Sequence, residues 1–163
     1  MNASENEKIP ETCFTEPEAC VSCFYNSIFG HLRNWSMAYS CLSTAEREKF
    51  ESRGGMTAFA DYWEDRLSFL EELVKKRHQE YPYRHRSCFS MNNVCYGSIT
   101  GDQAVVLLEL LENHLARERL VVSQRKELVK EGNEWHLKNG ELEGKLDEVI
   151  KVHNLSRRRY APV

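Results

Sequence analysis

The amino-terminal half of the chain carries apolar residues at helical spacing. From Glu18 to Trp35, apolar side chains recur at steps of three and four, which predicts a helix with a broad apolar face. The run Ser43-Thr44-Ala45-Glu46 matches a capping box and starts a short second helix that ends at Gly54-Gly55. A third helix is predicted from Thr57, with an apolar stripe formed by Phe59, Tyr62, Trp63, Leu67, Leu70 and Val74.

The carboxy-terminal half shows short apolar stretches separated by turn residues. Apolar and polar residues mix between Arg84 and Thr100, and Gly101-Asp102 follows as a turn signal. Ala104 to Leu111 is an apolar run of strand length, and Arg119 to Lys130 alternates imperfectly. We therefore expect antiparallel strands, closed by a hairpin at Gly132-Asn133 that leads into a strand with Trp135 and Leu137.

A long helix or coiled coil competes with the strands between Gln103 and Lys130. This stretch is rich in Leu, Glu, Arg and Lys, which are good helix formers. Its leucines begin a heptad seam at Leu108, but Arg119 and Lys126 break the seam, so we favour strands. If the stretch is helical instead, Gly132 is merely the residue that ends the helix.

Length, composition and charge bound the class of protein. The chain has 163 residues, 41% of them hydrophobic and 29% charged, which fits one globular domain with a single core. The formal net charge of −3 gives no electrostatic reason to expect binding to nucleic acid. No stretch approaches the roughly 18 consecutive apolar residues that a membrane span needs, so we expect no membrane association.

The two ends of the chain are expected to lie outside the folded domain. Residues 1–17 open on a polar, acidic stretch without the apolar run of a secretory signal, so we expect a disordered tail and a cytoplasmic protein. The folded domain then covers residues 18–140. Residues 141–163 are predicted to form a helix or tail that ends in basic residues, with a helical stripe of Leu142, Leu146, Val149 and Ile150.

The six cysteines allow more than one interpretation. Without an export signal, and with a core of ordinary size, we expect reduced thiols that pack as small apolar residues and no cofactor. The alternative is a structural zinc site, because Cys20 and Cys23 have the two-residue spacing of a zinc knuckle and His85 and Cys88 repeat it. A redox-active pair of Cys20 and Cys23 is disfavoured, because the acidic residues before Cys20 oppose a thiolate.

Four segments together have the pattern of a known family. They are Phe24 to Leu42, Ser43 to Trp63, Thr100 to Leu111 and Glu127 to Leu137. This order of helices, strand and Trp-containing hairpin resembles the nuclear-transport-factor-2-like superfamily, whose cone-shaped fold is shared with ketosteroid-isomerase-like and polyketide-cyclase-like proteins. The resemblance implies an α+β fold in which three amino-terminal helices pack in the concave face of a curved antiparallel sheet.

The resemblance also implies a pocket between the helices and the concave face of the sheet. Six ring side chains would line that pocket and hold a small apolar ligand: Tyr25, His31, Trp35, Tyr39, Tyr62 and Trp63. The alternative is that these rings only fill the core. His31 is the candidate for acid–base chemistry, because imidazole titrates near neutrality, but it needs a carboxylate partner.

Three functions are compatible with these observations. The first is a non-catalytic binding or assembly module of this superfamily, which forms a homodimer or binds a protein partner through the face of the sheet formed by Arg119 to Leu128. The second is an isomerase-like or cyclase-like enzyme that uses His31 and a Tyr. The third is a zinc-stabilised helical protein with a carboxy-terminal coiled coil. The sequence contains no common catalytic motif, so it does not define a reaction.

Overall fold

Helices come first along the chain and strands follow them. The computed structural model describes residues 11–30, 32–77, 89–113 and 118–154. A 3-10 helix at Glu11–Phe14 precedes four α-helices: α1 (Pro17–Phe29), α2 (Trp35–Ser40), α3 (Thr44–Glu51) and α4 (Met56–Arg77). The rest of the described chain consists of β1 (Phe89–Thr100), β2 (Gln103–Glu112), β3 (Glu118–Glu131), β4 (Glu134–Leu137), a short helix α5 (Leu146–Val149) and β5 (Ile150–Asn154).

The strands form one antiparallel sheet in the order β1-β2-β3-β4, and β5 also pairs with β3. Strand β2 occupies one edge of β3, and β4 and β5 divide the other edge between them. Strand β4 pairs with residues 128–131 of β3, whereas β5 pairs with residues 118–122. On this second edge, residues 123–127 therefore face the connection from β4 to β5, whereas on the first edge they pair with β2.

The strand prediction for Gln103 to Lys130 is confirmed, and the competing long helix is wrong. Residues of β2 and β3 alternate between buried and more exposed positions, which is the period of a half-buried strand. The turns at Gly101 and Gly132 connect adjacent strands as expected, with φ of 59° and 63°. This also removes the helical zinc protein with a carboxy-terminal coiled coil.

The sheet is strongly curled and the helices lie against its concave face. Strand β1 shifts its register against β2 twice, once between Asn92 and Cys95 and once between Tyr96 and Ser98. Bulges of this kind bend a strand and increase its twist. Helix α1 contacts β1, β2 and β4. The predicted α+β class, with amino-terminal helices against a curved antiparallel sheet, is confirmed.

The first predicted helix is in fact two helices separated at Gly30. Helix α1 ends at Phe29, and a Cβ added at Gly30 would lie 2.5 Å from the backbone oxygen of Asn26. Arg33 fixes the connection, because its guanidinium pairs with Glu64 at 2.7 Å and with Glu71 at 3.1 Å. The apolar periodicity crossed this break and gave no sign of it.

The capping box at Ser43 works in one direction only. The Ser43 hydroxyl accepts a hydrogen bond from the Glu46 backbone N–H at 3.2 Å, as predicted. The Glu46 carboxylate does not return to Ser43, but accepts from the Gly140 backbone N–H at 2.8 Å. The Ser43 N–H instead donates to the Leu137 carbonyl at 2.7 Å. The start of α3 is thereby attached to the end of β4.

The carboxy-terminal segment differs from the prediction of a helix or tail. The described part of residues 141–163 contains only one turn of helix, α5, and then strand β5, which extends the sheet beyond residue 140. The helical stripe of Leu142, Leu146, Val149 and Ile150 is therefore wrong as a single element. Within the described residues, no helix combines the length and apolar character that crossing a membrane requires.

The expectation of reduced cysteines is also wrong for one pair. Cys13 and Cys23 form a disulfide with their Cα atoms 6.0 Å apart, which ties the 3-10 helix to α1. Cys13 and Phe14 are buried, so ordered structure begins before residue 17, the predicted end of the disordered tail. The disulfide leaves the cellular compartment open, because such bonds favour oxidising surroundings.

Loss of this disulfide should destabilise the fold. The bond closes a loop with a sequence separation of 10, so the Cys13→Ser/Cys23→Ser double variant should lose about 2–3 kcal/mol of unfolding free energy. Urea unfolding of both proteins as isolated measures the difference. With excess dithiothreitol, wild type and double variant should unfold at the same urea midpoint. A difference that persists under these reducing conditions would show that the serine side chains, and not loss of the disulfide, cause the destabilisation.

Candidate functional site

The space between the helices and the concave face is filled by aromatic side chains. Trp63 of α4 is fully buried, and its ring contacts Phe24, Tyr25 and Phe29 of α1 edge-on, with centroid distances of 5.9, 6.3 and 6.1 Å. Edge-to-face contacts at such distances are favourable for aromatic rings. In the described part of the chain, the space between these helices and the sheet is therefore a packed core, which is the alternative interpretation of the aromatic stripes.

A small polar patch interrupts this apolar interior. It consists of Tyr25 from α1, Gln124 and Lys126 from the inner face of β3, and Glu143 from the β4–β5 connection. The Tyr25 hydroxyl donates to Gln124 Oε1 at 2.9 Å. The Glu143 backbone N–H donates to the same oxygen at 2.8 Å, and Gln124 Nε2 donates to the Glu143 carbonyl at 2.9 Å. Burial raises the pKa of the Tyr25 hydroxyl well above its usual value.

Lys126 is the least expected member of the patch, because its side chain is completely buried. Its ammonium group donates to the carbonyls of Asn139 and Glu141 at 2.8 and 2.9 Å and lies 3.3 Å from Glu143 Oε1. Burial lowers the pKa of Lys126, and the nearby carboxylates, Glu143 first, oppose that effect. The ammonium is thus held by acceptors from its own chain.

We call residues 139–143 the closing segment, because they lie over the part of β3 that β4 and β5 leave unpaired. The helices also bind to this segment. Trp63 Nε1 donates to the Gly140 carbonyl at 2.8 Å, and the Tyr62 hydroxyl accepts from the Leu142 backbone N–H at 3.0 Å. A buried lysine with a shifted pKa often marks a reactive site. Here the closing segment occupies the approach to Lys126, so the patch has a structural role.

Five of the six predicted ligand-binding residues are described, and these five have different surroundings. Tyr25 and Trp63 lie inside the core, and His31 lies outside the described residues. The Tyr39 hydroxyl donates to Glu51 Oε1 at 2.8 Å, and burial together with this bond raises its pKa to about 12. Trp35 and Tyr39 both pack edge-on against Phe59, and Tyr62 lines an open groove.

That groove lies between α4 and the residues that follow β4 and has a volume of about 800 Å³. The Arg66 guanidinium lies 4.7 Å from the centre of the Tyr62 ring on its wall. Phe69 is 49% exposed there, and Leu142 and Lys145 line the opposite side. The groove was not predicted from the sequence, because Arg66 and Phe69 fall outside the apolar stripe of α4. Gln124, Lys126 and Glu143 were not predicted either, although a Gln and a Lys at inward positions of an alternating strand are a detectable signal.

The proposed zinc ligands do not form a site in the described part of the chain. Cys23 is bonded to Cys13, so its sulfur is not available as a thiolate. The Cys20 thiol donates to the Cys41 carbonyl at 3.6 Å. Among the described residues no group of three or more His, Cys, Asp or Glu is placed to hold a metal ion. His85 and Cys88 lie outside the described residues.

Comparison with known proteins found no matching family model, no matching curated protein and no matching solved structure. The structure therefore defines only the fold class: this is an α+β protein whose amino-terminal helices pack on a curled antiparallel sheet.

Replacing Lys126 should destabilise the protein in a pH-dependent way. In Lys126→Met, the carbonyls of Asn139 and Glu141 lose their donor, which should lower the unfolding free energy by about 1–3 kcal/mol at neutral pH. At pH values between the lowered pKa of Lys126 in the folded protein and its usual pKa of 10.5, Lys126 is protonated in the unfolded chain but largely neutral in the folded one. Wild type should therefore gain stability relative to the variant as the pH rises through that window.

Chemical denaturation of both proteins at several pH values between 7 and 10.5 measures this difference. The exposed Lys76 on α4 supplies the control, because Lys76→Met should change neither the stability nor its pH dependence. A constant difference between wild type and Lys126→Met across the range would contradict a lowered pKa at Lys126.

Proposed function

We propose that this protein is a non-catalytic binding or assembly module of the nuclear-transport-factor-2-like type that associates through the outer face of its sheet. The observation that carries the proposal is the closed interior. Trp63 and its neighbouring rings fill the cone, and the polar patch bonds to the closing segment. A molecule cannot reach Lys126 without displacing residues 139–143. The described residues thus give no support to the isomerase-like or cyclase-like alternative.

The family assignment within this proposal rests on the architecture. Helices in the concave face of a strongly curled antiparallel sheet are what the resemblance implies, and the hairpin at Gly132 follows a long strand as it does in that superfamily. The extension by β5 and the closed interior are departures from an open cone. We interpret both departures as features of a family member that does not bind a substrate in its interior.

We assign association to the outer face of the sheet. On β2 this face carries Val105, Leu107, Glu109 and Leu111, and Leu107 is 41% exposed. Directly opposite on β3, Arg125 pairs with Leu107 in the strand register and Glu127 pairs with Val105. Apolar side chains flanked by charges are typical of an antiparallel sheet that presents one face to a partner.

A second copy of this chain fits that outer face best. Arg125 and Glu127 project from the same face two residues apart, with their charged groups 3.7 Å from each other. Under two-fold symmetry, Arg125 of one copy can face Glu127 of the other, and the apolar residues of β2 can face each other. A surface with this pattern is complementary to itself.

Substitution of Leu107 should break the proposed dimer. Leu107→Arg replaces the exposed apolar residue of β2 by a charge, so the dissociation constant should rise at least about tenfold, or about 1.4 kcal/mol. Light scattering after size-exclusion chromatography, together with sedimentation, measures the mass across a concentration series. Phe69→Arg is the matched control, because Phe69 is similarly exposed but lies on α4.

A charge exchange tests the geometry of the same interface. Arg125→Glu alone should weaken the dimer, because it places like charges opposite each other, and adding Glu127→Arg should restore it. The sedimentation coefficient of each protein reports the outcome. A wild-type protein that remains monomeric at every concentration would contradict self-association, and so would weakening by Arg125→Glu that Glu127→Arg fails to reverse.

A further inference from the structure

Two thiols that the proposed function does not use lie together in the core. Cys20 is on the inner side of α1, and Cys41 directly follows α2. Both residues are fully buried. The Cys20 thiol donates to the Cys41 carbonyl at 3.6 Å, and the Cys41 thiol donates to the Met37 carbonyl at 3.4 Å. Every cysteine whose side chain the structure describes thus has another cysteine as its neighbour, either as a disulfide or as this thiol pair.

We propose that Cys20 and Cys41 form a second disulfide when the chain folds in the presence of a small-molecule disulfide such as oxidised glutathione. This bond would join α1 to the junction between α2 and α3. The backbone of Cys41 is already fixed there, because its carbonyl accepts from the Leu137 N–H at 2.8 Å. Because the Cys20 sulfur already lies beside the Cys41 backbone, the bond requires the Cys41 side chain to turn from the Met37 carbonyl toward Cys20.

The chemistry is two successive exchange reactions. The thiolate of one cysteine attacks a sulfur of oxidised glutathione, which forms a mixed disulfide and releases one glutathione thiolate. The second cysteine thiolate then attacks the protein sulfur of that mixed disulfide and releases the other. The two protein thiols lose two protons and two electrons, and one oxidised glutathione is reduced to two molecules of glutathione.

The folded state controls when this reaction occurs. The hydrogen bond with Cys41 and burial both raise the pKa of Cys20 well above its usual value, so the folded protein contains little thiolate at this position. Oxidised glutathione also cannot reach fully buried sulfur atoms. We therefore expect bond formation during folding or transient opening, and slow reduction once the bond is closed.

The Cys13→Ser/Cys23→Ser double variant makes the experiment direct. Trypsin cuts after Lys8, Arg33 and Arg47, so Cys20 becomes the only cysteine of peptide 9–33, and Cys41 is the only cysteine of peptide 34–47. The variant is unfolded, reduced, and refolded in a mixture of reduced and oxidised glutathione. It is then trapped with an alkylating reagent in denaturant and digested without reduction. Mass spectrometry should find peptides 9–33 and 34–47 joined by a disulfide as the main form of both.

The wild-type protein is treated in the same way, so that the result does not depend on folding of the double variant. There the joined pair should carry one further disulfide within peptide 9–33. Adding Cys41→Ser should abolish the joined pair in both backgrounds, and serine can still donate to the Met37 carbonyl that the Cys41 thiol contacts at 3.4 Å. Circular dichroism checks that each protein has refolded.

The proposal is overturned if peptide 34–47 is recovered alkylated or bound to glutathione from refolded protein. It is equally overturned if that peptide is joined to peptide 87–117, which contains Cys88 and Cys95. If the bond forms, dithiothreitol should lower the urea midpoint of the double variant and leave that of its Cys41→Ser derivative unchanged.

Discussion

The structure depends on how the second edge of β3 is satisfied. Strands β4 and β5 cover the two ends of that edge and leave residues 123–127 without a strand partner. On this edge the Glu127 carbonyl accepts a hydrogen bond from the Lys138 N–H at 3.0 Å. The backbone groups of the closing segment must also find partners inside the protein, and they do so by turning inward onto side chains. Its carbonyls and amides meet Lys126, Gln124, Trp63, Tyr62 and Glu46.

This constraint explains both the polar patch and the closed interior. A lysine on the inner face of β3 would be costly without acceptors, because burial disfavours its charge. The closing segment supplies two carbonyls and a carboxylate to that lysine. The same residues therefore stabilise the fold and cover the Lys126 side chain.

Local patterns in the sequence were sufficient to predict the fold class and several helix ends and turns. Each of these features is determined by residues close together in the sequence, as for the apolar stripe of α4, the cap at Ser43 and the turns at Gly101 and Gly132. The break at Gly30 depends on Arg33 reaching Glu64 and Glu71, which are far away in the sequence. Long-range pairings of this kind leave no periodic signal.

The candidate site was harder to predict for a related reason. The aromatic residues were correctly placed on helices, but whether rings enclose a pocket or fill a core is decided by what lies opposite them. For Trp63 that is a backbone carbonyl of the closing segment, and for Tyr25 it is Gln124. The disulfide between Cys13 and Cys23 was not predicted, because a sequence without an export signal favours reduced thiols and a separation of 10 residues does not by itself identify a pair.

The bond between Glu46 and Gly140 has a consequence for synthesis of the protein. These residues are separated by 94 positions, and Trp63 reaches Gly140 across 77. Contacts of such high order form late, because a long loop must close before they contribute. On the ribosome, α1 to α4 emerge long before their partners, so the nascent chain exposes its aromatic faces until the last strands are made. Apolar surface exposed in this way makes an incomplete chain prone to aggregation.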